Sequence, residues 1–151
     1  MKPDLEWVFR ASVSLQPPYS LGQTPNGAQR VIPIASGTFE GTEMRGTVCP
    51  GGADWQFTRS DGVAVLDARY LLRTDDDVLI EVRNRGIRHG PEDVLRRIAA
   101  GEAVDPTLYY FRAAPVFVAP LGRYAWLNRS LFICTGTRLA EAVQIEVYRI
   151  T

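Results

Sequence analysis

The sequence predicts an all-β domain, an antiparallel sandwich or barrel of about nine strands with one short helix, spanning residues 1–151. Two observations carry this. Runs rich in β-branched and aromatic residues recur along the whole chain, and glycines, prolines and short polar clusters punctuate them at short intervals. The runs are Leu5 to Leu15, Gln29 to Ala35, Glu43 to Cys49, Asp54 to Thr58, Val63 to Arg73, Val78 to Arg85, Leu108 to Val118, Ala125 to Thr135 and Ala142 to Ile150. A chain of 151 residues is the size of one domain and buries roughly two thirds of the surface it would expose unfolded.

Two turns fix hairpins. Ser60-Asp61-Gly62 and Thr74-Asp75-Asp76-Asp77 supply side chains that bond to nearby backbone and tolerate unusual dihedrals, so each joins antiparallel neighbours. A three-residue loop at Asp75 to Asp77 sets Leu72 opposite Ile80, Tyr70 opposite Val82 and Ala68 opposite Asn84. That register collects Leu66, Ala68, Tyr70, Leu72, Val78, Ile80 and Val82 on one face. Asp67, Arg69, Arg73, Glu81, Arg83 and Arg85 fall on the other. A slip of one residue would mix the two sets. The helix begins at Gly90-Pro91-Glu92-Asp93, where proline needs no amide partner and acids meet the helix dipole. Val94, Leu95 and Ile98 form its apolar stripe and Gly101 ends it, so it plugs one end of the sheet structure or packs beside it.

Composition narrows the function. Hydrophobic residues make up 46% and charged residues 23%, and 17 basic residues balance 17 acidic ones, so no net field draws the protein to nucleic acid or an anionic membrane. The N-terminal stretch interleaves apolar with polar residues, unlike a signal peptide, and no run reaches membrane-span length. Cys49 and Cys134 lie far apart in apolar contexts and read as reduced thiols, which places the protein in the cytoplasm. No histidine, cysteine and carboxylate cluster has metal-ligand spacing, and neither a nucleophile elbow, a phosphate loop nor a dinucleotide fingerprint occurs. No cofactor is expected.

The segments SGTFEGTEMRGTVCPGGADWQ, LDARYLLRTDD, VRNRGIRHG, YYFRAAPVF and YAWLNRSLF resemble, in order and from about Leu5 to Tyr148, a family of uncharacterised proteins known as domain of unknown function 3237. The resemblance implies a lipocalin-like β-barrel with a central cavity. It implies no reaction.

In a barrel one face of every strand points inward, and a ligand-holding barrel needs a few inward polar groups. The charged hairpin face therefore has two readings, solvent or cavity, and Asp67, Arg69 and Arg83 are its candidates for the cavity. Asn84, opposite Ala68, joins the ligand-binding set. Pro50-Gly51-Gly52-Ala53-Asp54-Trp55 is the most site-like stretch, because two glycines permit unusual dihedrals or a close approach and deliver an acid beside a large aromatic. Arg112 after Tyr109-Tyr110-Phe111, and Asn128 after Trp126, pair polar heads with rings, which suits a planar or carboxylated ligand. Glu40 between glycines and His89, the sole histidine, read as surface residues.

Three functions follow. The first is a small-molecule-binding barrel whose planar or carboxylated ligand meets Trp55, Arg69, Arg83, Asn84, Arg112, Trp126 and Asn128. The second is a cofactor-free isomerase, lyase or cyclase with Asp54 or Asp67 as general acid or base. A carboxyl facing a cavity with no arginine in bonding reach would favour it. The third is a homodimeric interaction module, which follows if the charged hairpin face is inward and the apolar face must be covered by a second copy.

Overall fold

The computed structural model describes residues 1–151. Ten strands form one antiparallel sheet: β1 (Leu5–Leu15), β2 (Tyr19–Thr24), β3 (Gly27–Gly41), β4 (Arg45–Val48), β5 (Ala53–Thr58), β6 (Ala64–Thr74), β7 (Leu79–His89), β8 (Tyr110–Val118), β9 (Phe132–Arg138) and β10 (Ala142–Ile150). Helix α1 (Glu92–Ala99) follows β7, and 3-10 turns occupy Pro106–Leu108 and Ala125–Arg129. β1 pairs with β10 on one side and β3 on the other. The sheet thereby closes into a barrel of eight staves, with β4 and β5 sharing the gap between β3 and β6.

The hairpin of β6 and β7 has the register its alternation predicts: Leu72 faces Ile80, Tyr70 faces Val82 and Ala68 faces Asn84. Its apolar face is inward. Leu66, Tyr70, Leu72, Ile80 and Val82 are buried, while Arg69 and Arg83 reach Glu81 at 3.1 and 3.7 Å, and Arg85 reaches Asp67 at 3.3 Å, on the outside. Such exposed pairs contribute up to about 1 kcal/mol each. Water solvates the charges and the closed interior takes the apolar set, so the ground for covering that face with a second copy is not met.

Three elements differ in kind or extent from the sequence expectation, and β7 and β9 also continue past their expected ends to His89 and Arg138. β2 is an additional edge strand, polar and short enough to carry no alternation signal. β3 runs well past Gln29 to Ala35, because its central residues pair on both flanks. Ala125 to Arg129 is a 3-10 turn and the strand begins only at Phe132. The glycine pair does what its residue type allows. Gly51 has φ of +102°, and a Cβ on Gly52 would lie 2.5 Å from that of Tyr70, so the chain can cross from β4 to β5 hard against β6.

The interior is divided along the barrel axis. One half is filled by Phe9, Phe39, Leu72, Ile80, Phe117 and Phe132, with T-shaped ring pairs at 4.9 to 6.0 Å. The 3-10 turn at Ala125–Arg129 seals that end: Leu127 is buried and the Tyr124 hydroxyl donates to Asp76 at 2.6 Å. At the opposite end, from Ala28 to Val31, β3 pairs with β2 instead of β1. The residues between β1 and β2 include Pro17 and Pro18, which cannot donate ladder hydrogen bonds. The wall splays there, and α1 lies across the opening with Val94 and Ile98 packed with Ala64, Leu66, Tyr109 and Phe111.

Leu72, with no exposed surface, sits at the centre of the filled half. Leu72→Ala should destabilise the protein by about 2–5 kcal/mol through the lost burial and the cavity left behind. In urea titration this appears as a lower midpoint with an unchanged slope.

Candidate functional site

The splayed end holds a groove of about 670 Å³ between α1, Pro17, Pro18 and the barrel rim. Beneath it lies an inner cavity of about 50 Å³ among Asp54, Gln56, Tyr70, Asn84 and Phe111. Leu15, Arg88 and Arg138 line both spaces and mark the neck between them, with Arg30 on its groove side. Sites for organic ligands run about 300–1,000 Å³. The groove is large enough for one; the inner cavity admits only a small group.

Strand parity delivers the neck residues. Arg88 continues the inward row of Val82 and Asn84 on β7, Arg138 continues Phe132 and Cys134 on β9, and Arg30 precedes Ile32 and Ile34 on β3. Arg88 is 9% exposed, and its guanidinium lies 5.7 Å from the centre of the Phe111 ring. That ring rests where a side chain on residue 136 would be, since a Cβ on Gly136 would come within 2.6 Å of it. The Arg138 amide donates to the Tyr109 hydroxyl at 2.8 Å, and its side-chain Nε is buried with no hydrogen-bond partner. None of the three arginines forms an ion pair. Burial, with Arg138 and Arg30 nearby, pulls Arg88 down to about 10. Burial and Arg30 lower Arg138 as well.

Asp54 is the carboxyl within this end of the barrel. Its Oδ2 accepts from Gln56 Nε2 at 2.7 Å and its Oδ1 from the backbone N–H of Asp67 at 3.0 Å. Gln56 is held in turn, its Oε1 accepting from Arg30 Nε at 3.1 Å. No guanidinium hydrogen-bonds Asp54. Burial raises its pKa, against the opposing pull of these two hydrogen bonds and of Arg88 and Arg30. Deeper in, Tyr70 is buried and its pKa is pushed well up by burial first and by Cys134 and Asp54 second. Asn84 Nδ2 donates to Cys134 Sγ at 3.5 Å, and burial pushes that thiol up to about 11.

Of the residues singled out from sequence, Asp54 and Asn84 line the inner cavity. The others do not join them. Asp67 contributes only its backbone amide, and its carboxylate faces Arg85 outside. Arg69 and Arg83 are on the outer face with Glu81. Trp55 is 56% exposed, because it alternates with the inward Asp54 and Gln56. Arg112 lies 5.2 Å from the Tyr110 ring on the outside and donates to the Phe111 carbonyl at 2.9 Å. Trp126 packs near Phe132 at the sealed end, with Arg149 over its ring. Asn128 clamps both backbone groups of Ala119, at 2.8 and 2.9 Å. Glu40 and His89 are exposed, and the His89 ring stacks on Tyr110.

The raised pKa of Asp54 has a sign that stability can report. A carboxyl whose folded pKa exceeds its unfolded value near 3.8 binds its proton more tightly in the native state, so folding loses stability as pH rises through that window. Asp54→Asn carries no such penalty. The melting temperature of Asp54→Asn should therefore rise relative to wild type as pH climbs above the unfolded value near 3.8, and a gap that stays constant with pH would contradict the assignment.

Comparison with known proteins bears on the fold and the family. A UPF0311 protein of Clostridium acetobutylicum is 39% identical over 147 residues, covering 97% of this chain and 93% of its own. The crystal structure of a conserved protein of unknown function from Rhodopseudomonas palustris matches with a TM-score of 0.95 at 36% identity, covering 100% of this chain and 99% of that one. A beta-barrel like protein from Acinetobacter baumannii matches at 0.88 and 40% identity, covering 100% and 98%. Residues 3–150 match the model of the family described as protein of unknown function (DUF3237), and the chain belongs to that family.

Proposed function

We propose that the barrel binds an organic acid, with the carboxylate at the neck and the apolar body in the groove beneath α1. The observation that carries this is the set Arg30, Arg88 and Arg138, which share a neck without an ion pair while Arg138 Nε is buried with no partner. Holding guanidinium groups out of water is costly unless an anion and hydrogen bonds compensate. Asp54 hydrogen-bonds to none of them, and the exposed Glu141 on the groove wall pairs with none of them. A carboxylate is the complement, since it accepts two parallel hydrogen bonds from a guanidinium. Leu95, Ile98 and the two prolines offer the apolar part of such a molecule a wall.

Hydrocinnamate, benzoate and hexanoate, each paired with its neutral amide, test this by thermal shift. At about a hundredfold excess over Kd, a bound acid should raise the melting temperature by roughly 5–10 °C. The amides should not. Arg88→Gln and Arg138→Gln should each remove the shift, and Arg83→Ala, on the outer face, should keep it. Equal shifts from acids and amides, or a shift that Arg83→Ala abolishes, would sink the proposal.

A further inference from the structure

We propose that Asp54 is a general base that moves a proton on a carbonyl-bearing organic acid, a function that rests on the binding reading above and extends it. Three observations lead there. The Asp54 carboxyl lines the inner cavity, and its two hydrogen bonds, to Gln56 Nε2 and to the Asp67 amide, leave acceptor capacity free, since a carboxylate has about four lone-pair sites. Tyr70 lines the same cavity, and its hydroxyl makes no hydrogen bond within the protein. The cavity, about 50 Å³ against about 670 Å³ for the groove above it, has room for a small group of a ligand but not its body.

A ligand anchored by its carboxylate at Arg88 and Arg138 would therefore reach inward with only a small group, where it meets the Asp54 carboxyl and the Tyr70 phenol with Gln56 and Asn84 beside them. Asp54 takes the proton from the carbon beside the carbonyl. The C–H electron pair becomes the carbon–carbon double bond of an enolate, and the carbonyl pair moves onto oxygen, which accepts a hydrogen bond from the Tyr70 hydroxyl. Return of the same proton from Asp54, to that carbon or to the far end of a conjugated system, completes an exchange or an isomerisation. Nothing is oxidised or reduced, and no co-reactant is consumed. Burial, which raises both groups, keeps Tyr70 protonated as a donor and makes Asp54 a stronger base than an exposed carboxylate.

The probes are pyruvate and levulinate, incubated with the full chain in deuterium oxide while proton NMR follows loss of the C–H signals beside the carbonyl. Hydrocinnamate, which has no carbonyl, reports binding alone by thermal shift. Wild type should exchange at least one probe about a hundredfold faster than buffer. Asp54→Asn should fall to the buffer rate while hydrocinnamate still stabilises it. Tyr70→Phe, which removes one hydroxyl that bonds nothing, should slow exchange and leave the hydrocinnamate shift in place; it carries the test should Asp54→Asn not fold. Stabilisation by hydrocinnamate with no exchange of either probe above buffer overturns the proposal and spares the binding reading, as does full exchange by Asp54→Asn. No stabilisation by any of the acids overturns both.

Discussion

Strand β1 hydrogen-bonds on both flanks, to β10 and to β3, and every other placement follows from that closure. Once the sheet is a barrel, each strand must give one face to the interior, and a residue two positions from an inward neighbour is inward as well. The same pairing sets where the closure stops. β1 follows β3 as far as Ile34; beyond it the partner of β3 is β2, after a connection that contains two prolines. The barrel is consequently tight at one end and open at the other, and the opening is where the wall changes partners.

The two ends are filled accordingly. Aromatic and aliphatic side chains occupy the tight half, with ring pairs at its centre and the buried Leu127 at its end. At the open end, strand parity carries Arg30, Arg88 and Arg138 inward, and the fold accommodates Arg88 by stacking and Arg30 by relay rather than by ion pairs, while Arg138 Nε has no partner. Arg88 stacks on Phe111, whose ring occupies the space left by the missing side chain of Gly136. Arg30 reaches Asp54 only through Gln56. Glycine at 136 is thus a packing requirement for an arginine two strands away.

Strand existence and the β6 to β7 register were legible because alternation and turn chemistry agreed over the whole hairpin. Which face was inward was not, since a charged and an apolar face can each line a barrel, and only closure decides. The neck arginines went unread for a related reason. Expected strands ended at Arg85 and Thr135, while β7 continues to His89 and β9 to Arg138, so the inward row was cut off before Arg88 and Arg138. Carrying the period of two past those ends, from Val82 and Asn84 to Arg88 and from Cys134 to Arg138, would have found both. Asp54 was visible through its glycines. Gln56, its hydrogen-bond partner on the same face, gave no signal of type, and Tyr70 sat unremarked in an apolar set. Trp55, Arg112, Trp126 and Asn128 lie apart from this cavity for the converse reason: a polar head beside a ring in sequence points to the other face of a strand, or to a capping turn, as readily as to a shared pocket.

The neck arginines and Asp54 also act on each other. Arg88 and Arg30 pull the Asp54 pKa down while burial pushes it up, and burial prevails. A ligand carboxylate seated among the arginines would offset their field at Asp54 and leave the burial contribution less opposed. Under the proposed function, occupancy of the groove therefore makes Asp54 a stronger base at the moment a carbonyl group enters the inner cavity. The empty site keeps that carboxyl closer to its ordinary value. In that reading, binding energy from a remote carboxylate raises the basicity of Asp54 beside the reacting carbon.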